Sequence, residues 1–341
     1  MNDQKPGSAR GRRWLRTLGR LSGKLALASA SAWMFGAIHF NGPFSGSANT
    51  LLGVLWMAAS FLAATRGRTM RWRLIRWTGV WLIAWIPWLM IRPSNDRNWD
   101  TDYARTPSAA VEGDLVTFTN FRNFDYALDG RVTERWETRT VHLSNLKGID
   151  FFLNYWGSEL IAHPIFSFDF GDEGQIAFSI ETRREKGETY TALGGLYKLY
   201  ELTYLVGDER DFIRVRTNVR PGEDSYLFRM GVKPETARLR FMDYVVALNK
   251  LRDRPQFYNV LTANCTTAIR SHSAAGNAFP FDWRLIINGK LDELLDERGL
   301  FAVKDLPLAE LKKRGHVDDR SLPLHDDPEF SRKIREGVPG F

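Results

Sequence analysis

A chain of 341 residues allows one large domain or two modest ones, and its net charge of +7 is carried at one end: residues 1–76 hold twelve Lys/Arg against the single acid Asp3, so the rest is net acidic. A protein that grips nucleic acid needs its cations on the folded domain that meets the phosphates, so this distribution argues against that role. The one cysteine, Cys265, excludes an intramolecular disulfide framework and any cysteine-cluster metal site.

Three apolar runs, 25–40, 48–64 and 77–91, lie in the first hundred residues. Each sits at the low end of the roughly 17–25 residues that a spanning helix needs, and the flanks supply the rest of the argument. Arg10, Arg12, Arg13, Arg16, Arg20 and Lys24 precede the first run. Arg66, Arg68, Arg71, Arg73 and Arg76 separate the second from the third, while the connector 41–47 has no charge. The positive-inside rule turns this alternation into three crossings: a cytoplasmic amino terminus over 1–24, a transmembrane region over 25–92 and the remainder outside. Trp72, Trp77, Trp81, Trp85 and Trp88 fit interfacial belts on the third helix. A cleavable signal peptide ending near Ala28–Ala32, or a twin-arginine leader at Arg12 and Arg13, competes with this reading. The apolar core before that point is short, however, and hydrophobicity continues through Trp33, Met34 and Phe35. Buried helices of a soluble protein are a further alternative, but they do not come with one-sided blocks of arginine.

Residues 95–107 are polar and irregular, as a linker leaving a bilayer would be. Beyond it, a domain over 93–303 shows strand-like alternation at 115–119, 135–143, 165–170, 175–182, 201–206, 212–217 and 226–228. Helical spacing follows at 234–252, with Leu239, Met242, Val245, Val246 and Leu248 near one face, and again at 291–300. Strands first and helices after predict an α+β fold. The charged, proline-containing segment 304–341 reads as a surface tail of low order.

No glycine-rich phosphate loop, Gly-x-Ser-x-Gly elbow or His-Glu-x-x-His motif is present. The six histidines (His39, His142, His163, His272, His316 and His325) include no pair at metal-ligand spacing. No cofactor and no metal is expected. The informative stretch is Tyr258-Asn-Val-Leu-Thr-Ala-Asn-Cys-Thr-Thr-Ala-Ile-Arg270. Asn264 is a preferred N-cap, so a helix begins at Cys265 and its thiol faces unpaired N–H groups and the positive end of the helix dipole, which favour thiolate. Asn264 and Thr266, on either side of the cysteine, are candidates for oxyanion or substrate binding. A buried, inert cysteine is the bland alternative. A lone thiol outside the cytoplasm, however, is exposed to oxidation and calls for a use.

A thiolate nucleophile needs a base brought in by the fold. His163 opens a segment that reads as a hairpin about Asp172, Glu173 and Gly174, with Phe166, Phe168 and Phe170 on one face and His163, Ser167 and Asp169 on the other. A three-residue loop would set Gly171 opposite Gln175 and Ile165 opposite Glu181, making Glu181 a diagonal neighbour of His163 and a candidate to orient its ring. A strand-end histidine, and a Glu181 paired only with Arg183 or Arg184, are the structural alternatives. His272 is a rival base, but two helical turns set it about 10 Å from Cys265. His142, on a strand, is a weaker one.

The blocks Ala162-His-Pro-Ile-Phe-Ser-Phe-Asp-Phe170, Ser179-Ile-Glu-Thr-Arg-Arg-Glu-Lys-Gly-Glu188, Tyr200-Glu-Leu with Gly207-Asp-Glu-Arg-Asp211, and Phe257-Tyr-Asn with Asn264-Cys-Thr-Thr267 occur in one order over about residues 93–275. Together they resemble the bacterial family named for the Lnb N-terminal periplasmic domain. The namesake is a lipoprotein N-acyltransferase, and the domain is similar to circularly permuted NlpC-type, papain-like thiol enzymes, in which the histidine precedes an Asn-Cys pair. The resemblance implies a Cys265 nucleophile, a His163 base and a third polar residue on the next strand, for which Glu181 is the reading from the hairpin. It also implies a bacterial inner-membrane protein with a periplasmic domain, working on membrane lipids with a lipoprotein or phospholipid acyl donor. In the namesake, membrane segments follow the periplasmic domain, whereas here the predicted spans precede it. A thioester-forming acyltransferase is therefore the leading expectation. An NlpC-type cell-wall peptidase or amidase and a non-catalytic tethered binding domain are the alternatives.

Overall fold

The computed structural model describes residues 7–271 and 282–341. The chain divides into two compact units, Met1–Arg92 with Tyr197–Leu199, and Pro93–Leu196 with Tyr200–Phe341.

In the first unit each apolar run is helical: α1 (Gly7–Asn41), α2 (Gly46–Thr65) and α3 (Met70–Met90). The α1–α2 turn is closed by Asn49, whose Nδ2 donates to Phe44 O at 2.7 Å while its Oδ1 accepts from Phe44 N at 3.0 Å. Two stretches, Thr17–Asn41 and Gly46–Thr65, are long and apolar enough to cross a membrane. At 21 residues α3 is also long, but Arg71, Arg73 and Arg76 lie in its first two turns and lower its apolarity. Four of the five tryptophans of α3 face α1. Trp77, Trp81, Trp85 and Trp88 recur at near-helical spacing and stack in series, with successive ring centroids 6.2, 4.6 and 5.3 Å apart. They line the seam with α1: Trp77 Nε1 donates to Ser31 Oγ at 3.1 Å and Trp88 Nε1 to Asn41 Oδ1 at 3.0 Å. An indole N–H buried between apolar helices needs such an acceptor, and α1 supplies it.

The second unit mixes helix and sheet. Its strands are β1 (Ser108–Glu112), β2 (Leu115–Arg122), the small hairpin β3 (Asp125–Tyr126) and β4 (Val132–Thr133), β5 (Trp136–His142), β6 (Gly148–Trp156), β7 (Ser158–Asp169), β8 (Gln175–Arg183), β9 (Glu201–Asp208), β10 (Glu223–Arg229) and β11 (Gln256–Phe257). The main sheet runs β1-β2-β9-β8-β7-β6-β10, with β5 beside β2 and β11 beside β9. Helix α5 (Pro234–Asp253) covers one face, where Phe241 and Tyr244 pack edge-on or tilted against Phe166, Phe168 and Phe178. The opposite face meets Phe152, Ile165, Ala177 and Leu227 with Phe330, Ile334 and Val338 from the end of the chain. A sheet covered on both sides has little alternation in its central strands, which is why β6, buried from Gly148 to Tyr155, carried no period-two signal.

Three expectations are corrected. Residues 212–217 are not a strand: α4 (Glu209–Phe212), capped by Asp208 through Arg210 N, runs into a wider helical turn over Val215–Val219. Its alternation is that of a short helix burying Phe212 and Ile213. On α5 the buried stripe is Ala237, Phe241, Tyr244, Val245, Leu248 and Leu251, so Val245 and Leu248 lie on it as expected while Leu239 and Val246 are exposed; Phe241 and Tyr244 turn the face away from those two. Finally, 304–341 is not a loose tail. It holds α8 (Leu308–Gly315), α9 (Asp318–Ser321) and α10 (Phe330–Lys333), following α6 (Cys265–Ser271) and α7 (Leu291–Glu297). Phe330, Ile334 and Val338 recur every four residues and are buried, and the charge among them is matched: Arg335 lies 2.6 Å from both Asp150 and Glu209.

Candidate functional site

β7 and β8 pair with Ile165 opposite Ser179 and Asp169 opposite Gln175. The connecting loop is therefore five residues, not three, because Phe170 and Gly174 close the turn by a backbone hydrogen bond of 3.0 Å. The register moves by two, which preserves every face and carries Glu181 from a diagonal position to one directly across from His163. His163 Nε2 lies 3.2 Å from Glu181 Oε1 and 2.6 Å from Ser179 Oγ, and the Ser179 hydroxyl donates to Glu181 Oε1 at 2.5 Å. A serine whose single proton goes to the carboxylate offers the ring only an acceptor, so Nε2 carries the imidazole proton and Nδ1 holds the lone pair in the neutral ring. Arg216, from the helical turn after α4, approaches Glu181 at 3.4 Å and Glu223 at 3.0 Å. Burial pushes the Glu181 carboxyl up, but His163, Arg216 and Ser179 outweigh it and hold the group well below the ordinary carboxylate range. The backbone of His163 is pinned as well: its carbonyl accepts from Asn154 Nδ2 at 2.9 Å, and Asn154 Oδ1 accepts from Ser225 Oγ at 2.8 Å.

The cysteine helix forms for a local reason. Asn264 Oδ1 accepts from Thr267 N at 2.8 Å, and Thr267 Oγ1 accepts from Asn264 N at 2.8 Å, a reciprocal capping box that starts α6 at Cys265. Helix α6 packs against β7 and β8. Asn288, in the short turn Asn288–Lys290, donates from Nδ2 to Cys265 Sγ at 3.7 Å and accepts at Oδ1 from Ala162 N at 3.0 Å, so it bridges the thiol to the residue before His163. Cys265 is 9% exposed. Burial pushes its thiol above the ordinary value of 9.0, against the opposing hydrogen bonds of Asn288 and Thr266, and the charge of Glu181 pushes the same way as burial. This reverses the expectation of a thiolate favoured by the helix start, because loss of solvent outweighs a few N–H groups. The Tyr204, Tyr244 and Tyr258 hydroxyls are pushed up chiefly by their own burial.

The structure brings His163 and Glu181 together, and Cys265 with Asn264 and Thr266. It sets the cysteine helix against the two strands that carry the first pair. No hydrogen bond joins the His163 ring to Sγ among the described residues. The side chains of Asn264 and Thr266 are occupied: Asn264 Nδ2 donates to Val260 O at 2.6 Å, and Thr266 Oγ1 donates to Leu285 O at 2.6 Å. Sequence reasoning missed Ser179, Arg216 and Asn288. Ser179 shares the polar face of β8 with Glu181 and was open to discovery. Arg216 and Asn288 arrive from turns with no periodic signal. His142 is held by Glu173 at 2.5 Å, at the loop end of the hairpin; His272 lies outside the described residues. Asp224, His316 and Asp318 offer ligand atoms within 4.8 Å of one another but include none of these residues. A cavity of about 180 Å³, lined in part by Leu202, Tyr204, Leu251, Thr267 and Ala268, opens between β9, α5 and α6.

Residues 132–289 match the family model of the Lnb N-terminal periplasmic domain. No curated protein matches the chain, and no solved structure does. The match to a periplasmic-domain family and two helical stretches apolar enough to span a bilayer point to membrane anchoring.

Proposed function

From a segment, residues 132–289, that belongs to the Lnb N-terminal periplasmic domain family, we propose that the protein is a membrane-anchored, cysteine-dependent acyltransferase acting on lipoprotein or phospholipid acyl groups. The reading includes three spans, a cytoplasmic amino terminus and a permuted papain-like domain. The observation that carries it is the His163–Glu181 pair, Nε2 to Oε1 3.2 Å, on strands against which the Cys265 helix packs.

With Nε2 committed to Ser179 and Glu181, Nδ1 is the base. It takes the proton of the Cys265 thiol as sulfur attacks an ester carbonyl; the S–C bond forms, the ester C–O bond breaks, and His163 returns the proton to the leaving alkoxide. An amine then attacks the thioester. The N–C bond forms, the S–C bond breaks, and the amine proton passes through His163 to sulfur. A neutral resting thiol suits this cycle, since the proton moves only when a carbonyl is in place. Incubation of the intact protein with phospholipid vesicles is expected to load an acyl group on Cys265 that hydroxylamine removes and that Cys265→Ser and His163→Ala do not form. An unmodified Cys265 after such incubation counts against the reading.

The burial of Cys265 favours a second reading, a tethered binding domain with an inert thiol. Full complementation in cells by Cys265→Ser would select it.

A further inference from the structure

We propose that Asn288 supplies the side-chain hydrogen bond that stabilises negative charge at the reactive centre, first on the Cys265 sulfur and then on the oxyanion of the acyl adduct. The inference rests on the acyl-transfer reading for its second half only.

Of the two side chains nearest the cysteine in sequence, Asn264 makes its bonds elsewhere, and the Thr266 hydroxyl, which also meets the sulfur, is shared with Leu285 O. Asn264 spends its amide on Val260 O and its oxygen on Thr267 N. Asn288 is different: its Nδ2 is aimed at Sγ, 3.7 Å away. An oxyanion formed by attack of that sulfur is two bonds from it, so a donor already directed at Sγ is placed to reach the oxygen. The Thr266 backbone N–H, which also bonds the sulfur, is the second donor.

The amide cannot turn over without cost, because Oδ1 accepts from Ala162 N at 3.0 Å and thereby fixes which end faces the sulfur. The turn that carries Asn288 is itself pressed onto β7. A Cβ at Gly289 would come within 2.3 Å of Glu159 O and 2.7 Å of Ile161 N, an approach only glycine permits, and Gly289 O accepts from the Tyr155 hydroxyl at 2.9 Å. The donor is therefore preorganised by the same strand that carries His163.

The test uses the full chain in detergent micelles. Cys265 is alkylated with iodoacetamide across the pH range and followed by intact mass, for the wild type, Asn288→Ala and Asn288→Asp, beside the rate of acyl loading from phospholipid vesicles. Asn288→Ala removes the donor. Asn288→Asp keeps an oxygen for Ala162 N and turns the other end into an acceptor. The expected order of the alkylation midpoint is wild type lowest, Asn288→Ala higher by about one pH unit, and Asn288→Asp higher still; acyl loading falls by about 10² in both variants. An Asn288→Asp protein with the wild-type alkylation profile overturns the proposal, because it shows that the residue only pins β7 through its oxygen. That outcome decides the matter even if Asn288→Ala does not fold. If the wild type loads no acyl group, the acyl-transfer reading fails, and the alkylation order alone still decides the role of Asn288 at the sulfur.

Discussion

Ser179 Oγ stands between His163 and Glu181, 2.6 Å from the ring and 2.5 Å from the carboxylate, so the imidazole is oriented by a hydroxyl as well as by a charge. Replacing Glu181 by Gln removes the charge and disturbs the tautomer that leaves Nδ1 basic. Acyl loading of Cys265 is expected to fall by about 10² to 10⁴, with the urea midpoint at neutral pH also lowered. The pH dependence has a definite sign. Burial opposes ionisation, but His163, Arg216 and Ser179 hold the folded carboxyl well below its ordinary 4.5, so Glu181 adds stability that is present above that value and lost as pH falls through the lower, folded one. The stability gap between wild type and Glu181→Gln is expected to close as the pH is lowered below about 4.5. Urea unfolding followed by tryptophan fluorescence over a pH series checks this, and a constant gap contradicts it.

Arg335 ties the end of the chain to the sheet. It is buried, with its guanidinium 2.6 Å from Asp150 on β6 and 2.6 Å from Glu209 on α4, and removing it leaves two carboxylates buried without their shared cation. Arg335→Met is expected to cost about 3–5 kcal/mol, read as a lower urea midpoint of the second unit. Ending the chain after Val303 is expected to abolish cooperative unfolding, since it removes Phe330, Ile334 and Val338 from the core.

That segment shows where sequence reading stops. Its apolar residues are sparse among charges, and nothing local reveals that Arg335 has acids waiting 126 and 185 positions upstream. The outer features were legible because they rest on local physics: the cap at Asn264, the start of α6 at Cys265, the hairpin carrying His163, and the helical runs before residue 92. The register was missed by two because turn chemistry at Phe170 and Gly174 is subtler than a Gly-terminated loop of three, yet the faces survived since period two is unaffected by an even shift. The state of the thiol was missed for another reason: a helix start is visible in sequence, whereas the burial that overrides it is a property of the whole fold.

The buried thiol makes its own prediction. Burial raises the Cys265 pKa above 9.0, so native alkylation by iodoacetamide at pH 7 is expected to run at least about tenfold slower than for a free cysteine peptide, rising as the pH passes 9. Intact-mass kinetics measure it. Rapid labelling at neutral pH would mean that solvent reaches the sulfur and that the helix start does set its charge.

The membrane arrangement gives the last test. With α1, α2 and α3 all spanning and the amino terminus cytoplasmic, the charge-free α1–α2 turn lies outside, the arginine-rich α2–α3 turn inside and the segment after α3 outside. Alkaline phosphatase, active only beyond the cytoplasm, is expected to be active when fused after Phe44, inactive after Gly67 and active again after Asp96. The third fusion is the decisive one, because Arg71, Arg73 and Arg76 occupy the first two turns of α3 and leave it less apolar than its partners. The N–H groups of Trp77, Trp81 and Trp88 are satisfied by Ser31, Ala30 and Asn41 of α1, which lowers the polar cost of packing that face beside a spanning helix. Activity after Phe44 but not after Asp96 would leave α3 on the inner side and put Cys265 in the cytoplasm, where no extracytoplasmic acyl donor could reach it.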